Sequence, residues 1–547
     1  MLLIHPAEES FGGILSRYVP KSLPVAVGII AGYLKKWGVE NIRIIDEEFD
    51  KLNEEDLQDC VKGLDQPLLI GITVMTAQAR RSYELAEMFK TKYPDCTIVM
   101  GGVHVTAVPQ EALDTGNVDF VVRGEGEEIM RQLYFGLREG KDCKDIKGIS
   151  YLDDEGEIVT NPDGDLIENL DDIPIFPYEL FDGSKYDLGH VASARGCPYK
   201  CSYCSQRLLT GFTYRWHSTE RIIENLDILI NKYHVQHISF YDDVFSTNKR
   251  RVLDLCEAMV NAGFPEKCDF TIQTRADNLY EEIMPALKSI NTKTINIGME
   301  TGSERMAQVI AKDETVATHL EKIELCKKYG INVSLNMIFG FPSETQEERD
   351  ESYYVAKNAD VGFVKFNNLI PYPGTPIYED AKKSGKMHIL PGWVNCNSML
   401  SLTRSILSPT PLPYVPEGTT EFELKRDIIK RNLQYYFQWK IIKRILTRQE
   451  LGMGWAEVPK GWYLNFSEIL GLCRMSLMLG SNLLLTFLPV WIGDAVFSLV
   501  KRQQSIRPPK DIKITSRTFK RSSIQDVVPE ASGVNARDNA EEVSNAC

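Results

Sequence analysis

Short apolar runs alternate with amphipathic stretches over the first 140 residues of the chain. The runs fall at Leu2–His5, Ile42–Asp46, Leu68–Val74, Thr97–Met100 and Phe120–Arg123, with helical periodicity over Val25–Trp37, Glu54–Leu64, Ala77–Lys92 and Pro109–Asp114. Strands alternating with helices form βαβ units, and right-handed crossovers place helices on both faces of an open, doubly wound parallel sheet. Ligands of such a sheet sit outside the strand carboxyl ends. Those ends carry Pro6–Gly13, Thr73–Thr76, Gly101–His104 and Gly124–Glu127, all small, Gly-rich or polar.

Residues 141–190 read as a connector. It holds a small β-hairpin with turn residues at Asp153–Gly156 and Asn161–Gly164, followed by an extended Pro-rich stretch. A second βα series then begins, with strands predicted at Val191–Ser193, His237–Tyr241, Asp269–Gln273, Thr294–Gly298, Asn332–Ile338 and Phe363–Asn367. Six βα units within residues 191–385 fall short of an eight-stranded barrel of roughly 250 residues, so a partial, open (β/α)6 barrel is expected. The fold class is therefore α/β, a Rossmann-like domain followed by a partial TIM-like barrel and a helical C-terminal region.

After a linker over 386–420, a helical domain is expected over 421–500 and a polar, disordered tail over 501–547. Within the helical domain Met475–Gly493 carries no charged residue. It is long enough to span a bilayer, yet Asn482, Pro489 and the nearby Asp494 interrupt it. Core packing or a lid over a largely apolar substrate, an interfacial element and a true span all remain open.

Composition narrows the class. Of 547 residues, 43% are apolar and 25% charged, which excludes a chain disordered throughout. A formal net charge of −14 argues against a non-specific nucleic-acid binder. The first residues show no secretory signal, and twelve cysteines are too few for a disulfide scaffold. A reducing cytoplasm follows, where clustered cysteines bind metal more often than they pair.

Nine cysteines are scattered and read as buried apolar residues; Cys197, Cys201 and Cys204 are clustered in "RGCPYKCSYCSQR" with C-x3-C-x2-C spacing. Three thiolates on one loop can hold three irons of a 4Fe–4S cubane and leave the fourth open. A structural zinc usually needs a fourth protein ligand, for which His217 is the nearest candidate.

This loop, including Tyr203 before its last cysteine, resembles the signature of radical S-adenosylmethionine (SAM) enzymes. The resemblance implies that Cys197, Cys201 and Cys204 are the metal ligands and catalytic centre. In such enzymes the open iron chelates SAM, and one electron cleaves it to methionine and a 5′-deoxyadenosyl radical in a cavity that excludes water. The resemblance also implies cofactor contacts from Tyr203 and from later strand ends: Asp242, Arg275, Glu300, Asn336 and Gly340. Read as residues alone, Asp242 and Asp243 could equally cap the next helix, Glu300 could form a rim salt bridge, and Gly340 could serve a turn.

The stretches "GITVMT", "GGVHVTAVPQEAL" and "DFVVRGEGE" resemble the cobalamin-binding domain that precedes the barrel in one large radical SAM class. That implies Thr73, Thr76, Gly101 and Gly102 beside the cobalamin nucleotide tail. The first loop, "HPAEESFGG", lacks the Asp-x-His-x-x-Gly pattern that supplies a cobalt-ligating histidine, so none is expected here. His104 reads equally as facing the corrin or as a hydrogen-bonded residue.

The expectation is a cobalamin-dependent radical SAM enzyme, of the class that includes anaerobic magnesium-protoporphyrin monomethyl ester cyclase and hopanoid-modifying enzymes. It would methylate, cyclise or rearrange an unactivated carbon of a largely apolar small molecule or lipid. Its cofactors would be a 4Fe–4S cluster, SAM and cobalamin, and its reductant a flavodoxin or ferredoxin. Its place would be the cytoplasm, with peripheral contact at the inner face of the membrane. The rival readings are a radical SAM enzyme without cobalamin and a non-catalytic iron–sulfur electron carrier.

Overall fold

The computed structural model describes residues 1–8, 21–398, 404–446 and 477–505. Gly12 and Gly13 of the first rim, Met475, Cys473 and the tail from 506 to Cys547 lie outside these residues.

The first sheet contains β1 (Leu2–His5), β2 (Arg43–Asp46), β3 (Leu69–Thr73), β4 (Thr97–Gly101), β5 (Phe120–Val122), β6 (Ile149–Leu152) and β7 (Ile158–Thr160), in the order β2-β1-β3-β4-β5-β6-β7. The first five run parallel; β6 and β7 are antiparallel. Successive side chains point to opposite faces, and both faces are apolar. Leu2, Ile4, Ile70 and Ile98 enter one core, while Leu3, Leu69 and Val99 enter the other. The order reverses at β1, so the ligand crevice lies at the carboxyl ends of β1 and β3.

The predicted hairpin forms, with the Asp153 carboxylate accepting the Glu155 and Glu157 amides at 3.0 and 2.8 Å. Instead of standing apart as a connector, it adds β6 and β7 to the first sheet.

The second sheet is wholly parallel, in the order β8 (His190–Val191), β9 (His237–Phe240), β10 (Asp269–Thr274), β11 (Thr292–Glu300), β12 (Asn332–Phe339) and β13 (Phe363–Asn368). It is the expected partial barrel, and helices cover one face. Ile238, Phe270, Ile295, Leu335 and Phe366 pack there in a single core.

An open barrel leaves an edge strand, and α1 (Glu421–Tyr436) covers it. The Asn432 side chain accepts from the Phe366 amide at 3.3 Å and donates to the Phe366 carbonyl at 2.9 Å, as a neighbouring strand would. Tyr436 donates to the Val364 carbonyl at 2.7 Å. Leu424, Ile428 and Tyr435 join the barrel core, and the buried Asp427 pairs with the buried Arg349 at 3.0 Å. The start of the 421–500 segment is thus a wall of the barrel and not a detachable lid.

The uncharged run does not form one span. It divides into a helix over 477–486 and a second helix, α2 (Val490–Ser505), with Pro489 between them. Among the described residues no helix is long and apolar enough to cross a membrane. Asn482 turns inward, accepting from the Ile406 amide at 2.9 Å and donating to the Arg404 carbonyl at 3.2 Å. Leu477, Leu484, Phe487 and Trp491 turn outward, each more than 70% exposed.

Candidate active site

The cysteine loop follows the first barrel strand and is clamped on all sides. Asp242 accepts hydrogen bonds from the Ser193 amide at 2.6 Å, the Ala194 amide at 3.1 Å and the Ser193 hydroxyl, and lies 3.6 Å from Arg251. Its carboxylate is 1% exposed and fully engaged. Asp242 therefore shapes the entry to the loop and does not face a cofactor, contrary to the resemblance. Gly196, just before the first cysteine, has φ +89°, and a Cβ there would stand 1.9 Å from the Thr213 carbonyl. Asp243 accepts the Gly196 amide at 3.1 Å, and burial raises its carboxyl pKa to about 6.

On the far side, the Ser202 amide and hydroxyl both donate to the Ile310 carbonyl, at 2.9 and 3.1 Å. The Arg275 guanidinium lies 3.7 Å over the Tyr199 ring and 3.7 Å from Cys201 Sγ. Asp277 at 2.7 Å, Glu314 at 3.5 Å and the Lys312 carbonyl at 2.9 Å hold it there. Arg275 thus supplies a fixed donor to one of the three sulfurs.

Burial pushes the Cys197 thiol up, and Cys204 up to about 11, with the other cysteine sulfurs adding to both. Desolvated thiols such as Cys197 and Cys204 are stabilised as thiolates by positive charge, which irons would supply. Among the described residues no three His, Cys, Asp or Glu side chains are spaced to hold a single metal ion. His217 does not join the cysteines; its Nδ1 is bound to Asp171 at 3.1 Å. A cubane spreads its thiolates over different irons, and this donor set fits it better than it fits mononuclear zinc.

Glu300 lies at the end of β11, at a bulge, with φ +67°. It folds back so far that a Cβ on Gly298 would meet its Oε1 at 2.3 Å. Burial raises its pKa, and Lys312 offsets part of that. Tyr203 packs on Phe341 with ring centroids 5.9 Å apart, and burial together with the charge of Glu300 holds its phenol well above the ordinary range. Cys201, Tyr203, Arg275 and Glu300 are thus brought together at one mouth of the barrel. Asn336 sits deeper, beside Gly298 and Lys365. Gly340 has φ +98° and donates its amide to Glu344 Oε2 at 2.5 Å, serving a turn. Burial raises Glu344 to about 8.

The first sheet meets this loop through charges that motif reading passed over. Arg195 pairs with Glu125 at 3.1 Å and Glu127 at 2.6 Å, and Arg215 pairs with Glu125 at 2.7 Å. Glu125, Glu127 and Arg195 lie within the motifs given above and Arg215 lies in none, so the strand-end glutamates were the available signal.

At the crevice of the first sheet, Thr76 is buried and its hydroxyl has no hydrogen-bond partner. Thr73 ends β3 and is half-buried. Nothing crowds Gly101, where a Cβ would find its nearest atom at 3.7 Å. Gly102 has a different role: φ is +112°, and a Cβ would press to 2.8 Å on the Val74 carbonyl, so it permits close backbone packing. His104 is fully buried, 5.2 Å from Trp393 in an edge-on contact and 3.3 Å from Glu111, and neither ring nitrogen has a hydrogen-bond partner.

Residues 191–353 match the radical SAM superfamily and residues 14–134 match the B12 binding domain. An uncharacterized methyltransferase of Pyrococcus horikoshii is 32% identical over 387 residues, 70% of this chain and 82% of that protein. The anaerobic magnesium-protoporphyrin IX monomethyl ester cyclase of Rubrivivax gelatinosus is 25% identical, covering 70% of this chain and 69% of its own length. The hopanoid C-3 methylase of Methylococcus capsulatus is also 25% identical, covering 68% and 70%. Among solved structures, the cobalamin-dependent SAM radical enzyme OxsB with aqua-cobalamin bound shares the fold at a TM-score of 0.60 and 17% identity, over 92% of this chain and 75% of its own. The radical SAM methyltransferase TsrM of Kitasatospora setae, with cobalamin and a 4Fe–4S cluster, does so at 0.59 and 18%, over 71% of this chain and 79% of its own. With its cysteine loop set at the barrel mouth and locked to a B12-type domain, this chain belongs to the cobalamin-dependent radical SAM enzymes, which use a 4Fe–4S cluster, SAM and cobalamin.

Proposed function

We propose that the enzyme transfers a methyl group to an unactivated carbon of a small molecule with a large apolar part. The observation that carries this reading is the Arg195–Arg215–Glu125–Glu127 network, which ties the cysteine loop to the carboxyl-end rim of the cobalamin domain. Bound at these two sites, the cluster with SAM supplies a carbon-centred radical and cobalamin supplies the methyl group. The chain's own residues orient and enclose. Cys197, Cys201 and Cys204 would hold the cluster, Arg275 fixes one sulfur, and Glu300 offers a carboxylate to the SAM ammonium. Thr73, Thr76 and Gly101 would line the nucleotide tail. Tyr203, Phe341 and Leu369, with half-buried Ile338, form an apolar cluster beside the cysteine loop that keeps water out.

The reducing electron comes from a flavodoxin or ferredoxin, and the enzyme works in the cytoplasm at the inner face of the membrane. The outward apolar side chains of Leu477, Leu484, Phe487 and Trp491, in a segment where no described helix is long and apolar enough to cross a membrane, support peripheral contact with lipid. Release from membranes by carbonate is expected; release only by detergent would contradict it. The central test is anaerobic reconstitution of the full chain with iron, sulfide, cobalamin and SAM bearing a deuterated methyl group. A corrinoid absorbance spectrum, 5′-deoxyadenosine and S-adenosylhomocysteine are expected, with label in the product when cell extract is added. Absence of 5′-deoxyadenosine would overturn the reading.

A further inference from the structure

The second sheet has two unlike faces. Towards the helices its side chains are apolar and packed. The alternate positions face the concave side of the barrel, and register places hydrogen-bonding groups there in adjoining rows. Gln273 lies beside Asn296 and Asn296 beside Ser334; one row on, Gly298 lies beside Asn336 and Asn336 beside Lys365; Asn367 follows.

Lys365 is the unusual member. Val364 and Phe366 on either side of it are 0% exposed in the helix-side core, so Lys365 points into the barrel. It makes no ion pair or hydrogen bond among the described residues, and burial alone, with no neighbouring carboxylate, lowers its pKa. Arg275, at the barrel mouth, is by contrast saturated by Asp277, Glu314 and the Lys312 carbonyl. Two residues along β13, Asn367 is 8% exposed, and its Oδ1 has no hydrogen-bond partner. Lys365 is only half-buried, so its ammonium without a counter-charge bears part of the cost of desolvation, and the unpartnered amide oxygen of buried Asn367 on the same face adds to it. A ligand anion removes the first cost, and a ligand hydroxyl donating to Oδ1 removes the second. An amide can turn over without changing shape, so Asn367 can offer Nδ2 to an anion or Oδ1 to a hydroxyl beside it.

We infer that Lys365, Asn336 and Asn367 form an oxyanion-recognition subsite inside the barrel, and that the substrate carries a carboxylate or phosphoryl group bound there. The anionic end enters the polar chamber, and the apolar part lies towards Tyr203 and Phe341 near the cysteine loop. This inference rests on reading the barrel as the substrate chamber of a methyl-transferring enzyme.

The test uses the anaerobically reconstituted full chain and brief pulses of acetic anhydride, with acetylation of Lys365 followed by peptide mass spectrometry. An oxyanion on Lys365 keeps its amine protonated and slows acylation. Inorganic phosphate or formate should slow Lys365 at least threefold relative to chloride at equal ionic strength, while exposed Lys62 is unaffected. Protection by formate alone assigns a carboxylate; protection by phosphate alone assigns a phosphoryl group. Equal rates in all three salts, or protection by SAM without either oxyanion, would overturn the subsite. Formation of 5′-deoxyadenosine by the same preparation reports separately on the proposed function, so the two can fail independently.

Discussion

The two parallel sheets are built from the same βα repeat but divide their faces differently. In the first, Leu3 and Ile4 are neighbours in the chain and enter opposite cores, so both faces are closed by apolar packing. In the second, Leu335 enters the helix-side core while Asn336 lines the barrel. A sheet covered twice has only its rim left for ligands, and the cobalamin domain presents Thr73, Thr76 and Gly101 there. A sheet covered once keeps a whole face for them, and its free edge must then be closed by another element, here α1. Face coverage, more than strand order, decides whether a ligand is held at the edge of a sheet or inside it.

The largest effect expected concerns the loop between the sheets. Cys197→Ala, Cys201→Ala or Cys204→Ala should each abolish cluster binding and reduce 5′-deoxyadenosine to background, because a cubane loses one of only three protein ligands. Cys256→Ala and Cys326→Ala, in the helix-side core, should keep full iron content, measured by iron and sulfide analysis.

The comparison itself can be broken by denaturant unfolding. In the first sheet, Leu3→Ala and Ile4→Ala should each cost about 2–5 kcal/mol, since both faces are packed. In the second, Leu335→Ala should cost a similar amount and Asn336→Ala less than about 1 kcal/mol. An equal cost at Leu335 and Asn336 would show the concave face to be packed. Edge closure by α1 predicts that Asn432→Ala costs about 1–3 kcal/mol, because the Phe366 amide and carbonyl lose their partner. Truncation before α1 should unfold the barrel rather than merely open it.

The dry rim of the barrel sheet has a pH signature. Glu344 is held at about 8 by burial, above the ordinary carboxyl value of 4.5. Below pH 4.5 both states carry the proton and nothing is lost; between 4.5 and 8 only the unfolded state releases it, so this contribution to stability falls as pH rises. Glu344→Gln should therefore gain in melting temperature over wild type from pH 5 to pH 8, and a constant gap would refute the shift. The smallest effect belongs to the rim of the first sheet. Thr76→Val should weaken cobalamin binding by about 1 kcal/mol, measured by equilibrium titration, without loss of stability, because its hydroxyl has no partner to lose.

Sequence alone determined the elements whose cause is local. The apolar runs at Leu69–Thr73 and Thr97–Gly101, the Asp153–Gly156 turn and the spacing of Cys197, Cys201 and Cys204 were all legible, because strand burial, turn geometry and ligand spacing are written within a few adjacent residues. Tertiary structure decided what depends on distant neighbours. Asp242 reads as a strand-end carboxylate, yet Ser193 and Ala194 consume it; Gly102 reads as a rim glycine, yet Val74 requires it. The 421–436 helix reads as part of a separate domain, yet Asn432 and Tyr436 complete the edge of β13. Lys365 carries no motif at all. Its meaning comes from register, which sets it beside Asn336 on the face opposite the helix-side core, and register is fixed only when the strands pair.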